Sequence, residues 1–108
     1  MKDKDLENIK LLMLDNLDLA LVLIKGQGWD LKEVLMKLWN EYKVYRKEYN
    51  YSDELYRITY AKNPSIHLHE YDNHISIWYN GFNYTEGSMN NALSRIIKQL
   101  ISDNRWNT

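Results

Sequence analysis

All three histidines of the chain lie in one short segment, residues 67–74. Imidazole nitrogens bind Zn²⁺, Ni²⁺ and Cu²⁺, so three imidazoles close to one point could hold such an ion. The candidate ligands are His67, His69 and His74, with Asp72 as a fourth. This spacing specifies a metal site only loosely, because histidines on an exposed strand need no function. We therefore predict no metal or other cofactor and keep a metal-binding module as an alternative.

Two hairpins are predicted to position these histidines. The dipeptides Asp72-Asn73 and Asn80-Gly81 both suit the two-residue type I′ turn, whose central residues adopt positive φ. The first turn sets a register that places Trp78 opposite His67, and side chains alternate between the faces of a strand. The predicted core face holds Ile66, Leu68, Ile75, Ile77 and Tyr79. The opposite face, called the histidine face below, holds His67, His69, Tyr71, His74, Ser76 and Trp78.

The N-terminal part of the chain predicts two helices in series. Apolar residues recur at helical spacing over residues 6–13, and Asp15-Asn16 has the character of a new N-cap. A first helix then ends there and a buried second helix begins. One continuous helix over residues 5–25 is the competing interpretation. Gly26 is predicted to end the second helix as a left-handed C-cap, with Gly28 loosening the turn that follows.

A third helix is predicted to start at a capping box formed by Asp30 and Glu33. An apolar stripe at helical spacing extends it through about five turns. The stripe consists of Leu31, Val34, Leu35, Leu38, Trp39, Tyr42, Tyr45 and Tyr49.

The remaining elements are strands followed by a last helix. Residues 55–61 alternate β-forming side chains, Pro64 shapes a loop, and Ser88 caps the final helix. Residues 103–108 are predicted to be a frayed tail. The order predicts an α+β fold: a small antiparallel meander of three to four strands, about residues 54–85, packed by two to three N-terminal helices and one C-terminal helix.

Composition excludes several classes of protein. The chain has 108 residues, a net charge of −1 and no cysteine. This length predicts a single domain, residues 1–108. Disulfides, thiol catalysis and cysteine-bound metals are excluded, and the near-neutral charge gives no general attraction to nucleic acid. With neither a secretory signal nor an apolar span in the sequence, we expect a cytoplasmic protein with no membrane partner.

The histidine face is the leading candidate for a partner-binding surface. Trp78 and Tyr71 lie there beside His67, His69 and His74, and mixed aromatic and polar surfaces of this kind form interface hot spots. The alternative is coverage by helix, in which N-terminal and C-terminal helices pack on opposite sides of the sheet and partly bury this face.

A second candidate surface combines aromatic and basic residues along the third helix. Stacking on single-stranded nucleic acid requires such interleaving. The basic residues are Lys43, Arg46 and Lys47, with Arg95 and Lys98 as a second strip if they lie nearby. This face predicts an alternative function, in which the chain binds RNA or a ribonucleoprotein.

No motif of catalysis is present. The sequence contains no nucleophile elbow, P-loop, dinucleotide fingerprint or H-E-x-x-H. We therefore predict that the protein is not an enzyme and has no catalytic residues.

In bulk features, as a cysteine-poor chain of single-domain length without catalytic motifs, the sequence resembles small accessory proteins of phages and mobile elements, such as anti-CRISPR inhibitors and toxin-neutralising immunity proteins. The resemblance concerns general character and carries no site residues onto this chain. It implies an inhibitor that binds and occludes a larger protein or ribonucleoprotein target. A monomer and a homodimer formed through exposed sheet edges both remain open.

Overall fold

The computed structural model describes the backbone of residues 2–42, 44–47, 54–59 and 66–106, and the side chains of residues 2–41 and 66–106. The helices in these ranges are α1 (Asp3–Asp15), α2 (Leu17–Gly26), α3 (Leu31–Tyr42) and α4 (Met89–Ser102). The strands are β1 (Val44–Lys47), β2 (Glu54–Thr59), β3 (Ile66–Glu70), β4 (Ile75–Tyr79) and β5 (Phe82–Glu86). This order confirms the predicted α+β fold class. The predicted loop at Pro64 lies outside the described residues.

The N-terminal segment forms two helices, as the N-cap pattern predicted. Asn16 adopts an extended backbone between them, with φ −147° and ψ 98°. Its side-chain oxygen accepts a hydrogen bond from the Leu19 N–H at 3.1 Å, which satisfies one of the amides left unpaired at the start of α2. The single continuous helix over residues 5–25 is therefore wrong.

The left-handed residue in the turn between α2 and α3 is Gly28, not the predicted Gly26. Gly26 is the last residue of α2, and the left-handed position belongs to Gly28, with φ +73°. The N–H groups of Gly28 and Trp29 donate to the carbonyls of Lys25 and Ile24, which is the hydrogen-bond pattern of a Schellman cap. Asp30 then caps α3 by accepting the Glu33 N–H at 3.0 Å, as predicted.

The predicted third helix is too long at its C-terminal end. α3 stops at Tyr42, and Val44–Lys47 form strand β1 instead of a further helical turn. Val44 and Tyr45 are β-branched and aromatic residues that favour strands. Pairing with β2, in which Val44 lies opposite Arg57 and Lys47 opposite Glu54, outweighs the helical spacing of the tyrosines. Tyr49 lies outside the described residues.

The strands form one antiparallel sheet in the order β1-β2-β3-β4-β5. The meander thus starts earlier than predicted and has five described strands, because β1 had been assigned to a helix. In the centre of the sheet the register is the predicted one, with His67 opposite Trp78 and Leu68 opposite Ile77. The β4–β5 register, which places Phe82 opposite Tyr79, is also as predicted.

Helix α4 covers one face of this sheet. It packs on β4 and β5 and also against α3, while α1 packs against α2 and α3. Buried residues from all four helices and from β3 and β4 form one cluster. From the sheet the cluster contains Ile66, Leu68, Ile75, Ile77 and Tyr79. The core face is therefore the predicted one.

The predicted frayed tail is ordered as far as Trp106. Asn104 takes a left-handed conformation, with φ +60°, and ends α4. The chain then turns back, so that the Arg105 guanidinium donates to both carboxylate oxygens of Asp18 at 3.0 Å and Trp106 joins the core at 9% exposure. Burial of a tryptophan offsets the entropic cost of ordering these few residues. Residues 107–108 lie outside the described residues.

Candidate functional site

The turn between β4 and β5 has the predicted geometry, and the turn between β3 and β4 does not. Asn80 and Gly81 both have positive φ, at 46° and 87°, as a type I′ turn requires. Neither Asp72 nor Asn73 is among the residues with positive φ, so the type I′ prediction for that pair is wrong. The predicted register nevertheless holds, because the strand pairs beyond the turn bury the apolar face.

The histidine face is open to solvent in the part of the sheet whose side chains are described. Trp78 is 49% exposed, and His67, His69 and Tyr71 are partly buried. No described helix covers this face, since α4 packs on the other side. The alternative, in which helices cover both sides of the sheet, is not seen among the described helices, although five of the six residues of the histidine face are partly buried.

The side chains of this face surround a shallow depression of about 510 Å³. It is lined by His67, His69, Tyr71, Trp78, Asn80 and Gly81, with Tyr79 beside them. Trp78 lies across the strand pair from His67. At the far end the ring of His74 stacks on that of Tyr71, with centroids 4.6 Å apart and an interplanar angle of 13°. The depression is thus walled by aromatic and imidazole rings.

The three histidines do not converge on a metal site. His74 is stacked on Tyr71, and its Nδ1 lies 2.6 Å from Asn73 Oδ1. Among the residues that the structure describes, no three histidine, aspartate or glutamate side chains are grouped so that they could hold a metal ion. The strand register explains this: His67 and His69 lie two residues apart along β3, whereas His74 belongs to the turn beyond it. The geometry gives the metal alternative no support.

The described basic residues of the second candidate surface do not all lie on one helix. Arg46 and Lys47 are neighbours in strand β1, and adjacent strand positions belong to opposite faces of a sheet. Lys43 lies outside the described residues. Arg95 and Lys98 are on α4, where the Arg95 guanidinium donates to Glu86 and lies 5.0 Å from the centre of the Tyr84 ring. The helical stripe of aromatic and basic residues was a wrong prediction.

A partly buried hydrogen bond ties the strand that carries Trp78 to the end of α4. The Tyr79 hydroxyl donates to Asp103 Oδ2 at 2.9 Å. Burial, followed by this hydrogen bond and the negative charge of Asp103, raises the pKa of Tyr79 to about 12, although Arg105 acts in the opposite direction. Tyr79 is 1% exposed, so its role is to hold the sheet against the helix.

Sequence reasoning missed a polar groove of about 470 Å³ on the outer side of α4. It is lined by Glu86 of β5 and by a stripe of α4 that runs from Asn91 to Ser102. The helical spacing of Asn91, Arg95, Lys98 and Ser102 was a signal available in the sequence. Its position beside β5 depends on how α4 packs on the sheet, which no local pattern specifies.

No family model, curated protein or solved structure matches this chain. Within the described ranges, no helix is both long and apolar enough to cross a membrane. The fold alone defines the class, which is an α+β protein with helix packed on one face of its sheet.

Proposed function

We propose that the chain is a non-enzymatic protein-binding module whose histidine face binds a larger protein or ribonucleoprotein. One observation carries the proposal: Trp78 lies on an uncovered sheet face with 49% of its surface in solvent. Tryptophan is enriched among the residues that dominate binding energy, especially when surrounded by side chains that exclude water. His67, His69 and Tyr71 form such a surround at the depression.

Binding at this face would be favoured because it would bury the exposed apolar surface of Trp78. Each Å² of apolar surface removed from water contributes about 25 cal/mol, and the indole N–H can still donate to a partner's carbonyl. The Tyr71 hydroxyl adds a group that can donate or accept a hydrogen bond. Together they suit a protein surface with both apolar and polar groups.

The mode of action we propose is inhibition by occlusion, and the setting is cytoplasmic. A chain of this length offers binding surface and no catalytic motif, and its general character resembles that of anti-CRISPR inhibitors and immunity proteins of phages and mobile elements. The absence of cysteine suits a reducing compartment. Occlusion needs only a tight complex at a functional surface of the target, which an aromatic centre with a polar rim supports.

The test is affinity capture from host lysate on the immobilised protein, with and without RNase, followed by mass spectrometry and RNA recovery. We expect a stoichiometric protein partner that survives RNase. Trp78→Ala should abolish the capture. Leu19→Ala is the matched control, because Leu19 is a similarly exposed apolar residue, 52% in solvent, on α2.

Two outcomes would count against the proposal. If Trp78→Ala captures the same partner in the same amount, the histidine face is not the binding surface. If the partner is lost with RNase, or RNA alone is recovered, the protein acts through nucleic acid. The cations to examine would then be Lys43, Arg46, Lys47, Arg95 and Lys98.

A further inference from the structure

Strand β5 is an edge of the sheet with an unpaired side. It is last in the strand order, and no described residue pairs with its outer edge. Tyr79 and Phe82 flank a two-residue turn, so they form a hydrogen-bonded pair, and such pairs alternate along an antiparallel ladder. The amide groups of Asn83 and Thr85 therefore point away from β4. They form a short template for one more strand.

This edge lacks three of the features by which proteins block strand addition, namely proline, lysine and a bulge. The sequence of β5 is FNYTE, with no proline and no lysine, and its five residues pair with β4 without a bulge. Phe82 is 55% exposed, and its ring packs on that of Tyr84. An added strand would gain both backbone hydrogen bonds and an apolar contact.

The polar groove on α4 lies beside this edge. Arg95 bonds to Glu86 and lies over Tyr84, while Gln99 accepts the Tyr84 hydroxyl at 3.3 Å. These contacts place the outer stripe of α4 next to β5. A segment seated between an edge strand and a helix has its backbone read by the strand and its side chains read by the helix.

The charges that line this groove favour one kind of ligand. Glu86 is already paired with Arg95, and Lys98 has no ion-pair partner within the described residues, so the groove carries a net positive charge. An acidic segment is favoured there. A second copy of the chain is disfavoured, because two-fold pairing of β5 with itself would bring two positively charged grooves, each with its Lys98, side by side.

We propose that the groove between β5 and α4 binds an extended, acidic peptide segment of another protein, which adds to the sheet as a further strand beside β5. The groove shares no lining residue with the depression on the histidine face, although Asn83 and Thr85 lie opposite Trp78 and Ser76 in the register. The backbone of Asn83 and Thr85 supplies the pairing groups, and Lys98 supplies the preference for acidic side chains.

The test uses a display library of random peptides about twelve residues long, enough to span a strand, selected on the immobilised full chain. We expect enriched peptides that are acidic and free of central proline, and that protect the Asn83 and Thr85 amides from hydrogen exchange. Leu19→Ala, at an exposed position of α2, should leave their affinity unchanged.

The decisive pair of variants is Thr85→Pro and Thr85→Ala, measured by calorimetric titration with an enriched peptide. Proline removes the outward N–H, which an edge strand tolerates, and should weaken binding about tenfold or more, whereas alanine should not. If Thr85→Pro unfolds, Lys98→Glu provides the second test and should also weaken binding about tenfold. Its control is Lys4→Glu, the same charge change at an exposed position of α1.

Three results would overturn the proposal. One is that the library yields no enriched peptide. Another is that the enriched peptides bind Thr85→Pro, or the folded Lys98→Glu variant, as tightly as its control. The third is a dimer in sedimentation velocity that Thr85→Pro converts to monomer, because the occupant of the edge would then be a second copy of the chain.

Discussion

The two faces of the β3–β4 hairpin share one backbone and have opposite environments. On one face Leu68 and Ile77 are fully buried, while on the other Trp78 is half exposed, although Trp78 directly follows Ile77 in the chain. The difference comes from the helices, which pack on one side of the sheet: α4 packs on β4 and β5, and buried residues of all four helices form one cluster with β3 and β4. Burial on this sheet thus follows the side on which the helices pack, and within the described residues the other side is the more exposed one.

The largest expected effect is on the covered face. Ile77→Ala removes most of a fully buried side chain from the contact of β4 with the core. We expect a loss of about 2–5 kcal/mol of unfolding free energy, from lost transfer energy and the cavity left behind. Urea denaturation measures it. The control is Ser76→Ala, at the adjacent residue on the histidine face, which should change stability by less than about 0.5 kcal/mol. Equal losses of stability in the two variants would mean that the two faces do not differ in burial.

A smaller effect is expected at the turn that holds both faces in register. Gly81 has φ +87°, and an added Cβ would meet no atom within 4 Å. Gly81→Ala should therefore destabilise through backbone strain alone, by about 1–2 kcal/mol. Gly87→Ala adds a methyl group in equally open space at an ordinary φ and should be close to neutral. Thermal melting of the pair makes the comparison, and a neutral Gly81→Ala would show that the positive φ is not required.

Tyr79→Phe tests the hydrogen bond under the covered face. Loss of the bond to Asp103 should cost about 1 kcal/mol, since Asp103 still accepts the Gln99 amide at 3.2 Å. The raised pKa of Tyr79, about 12 against 10.0 for a free tyrosine, adds a pH dependence. The folded state holds this proton more tightly than the unfolded state, so the stabilisation is complete below pH 10 and is lost as the pH rises toward 12.

The measurement for Tyr79→Phe is urea denaturation of both proteins from pH 8 to the alkaline limit of reversible folding. The advantage of the native chain should shrink above pH 10 and then reverse, because phenylalanine does not ionise. Taking the difference between the two proteins removes the contribution of the other tyrosines. A difference that stays constant with pH would contradict the shifted titration.

The smallest effect on stability is expected on the open face. Trp78→Ala should cost less than about 1 kcal/mol, because half of the side chain is already in water. The same variant is expected to abolish partner capture, so stability and binding should separate. A loss of several kcal/mol would instead place Trp78 in the core and remove the main support for the histidine face as an interface.

Local patterns in the sequence predicted most of the centre of the fold, although not the turn type at Asp72-Asn73. The Asn80-Gly81 turn, the caps at Asn16, Asp30 and Ser88, and the register that places His67 opposite Trp78 depend on neighbouring residues and on alternation. Because these interactions are short in range, each could be assessed without the rest of the chain. The histidine face was therefore predictable as a set of residues.

Predictions that depended on distant contacts were wrong. The tyrosine spacing in residues 42–49 favoured a helix, yet Val44–Lys47 pair with β2. The tail after α4 looked polar and short, yet Arg105 reaches Asp18 and Trp106 enters the core. In both cases the deciding partner is distant in sequence, so local propensity carried no information about it.

The sequence by itself thus determined which side chains share a face of the sheet, through the alternation of side chains along each strand and through the residues of the Asn80-Gly81 turn. The tertiary structure decided which face of the sheet is covered. The apolar stripe of α4 would by itself allow this helix to pack on either side. The position of the polar groove beside the β5 edge has the same origin. Exposure is a property of the packed molecule, since it depends on what lies against a residue as much as on the residue itself.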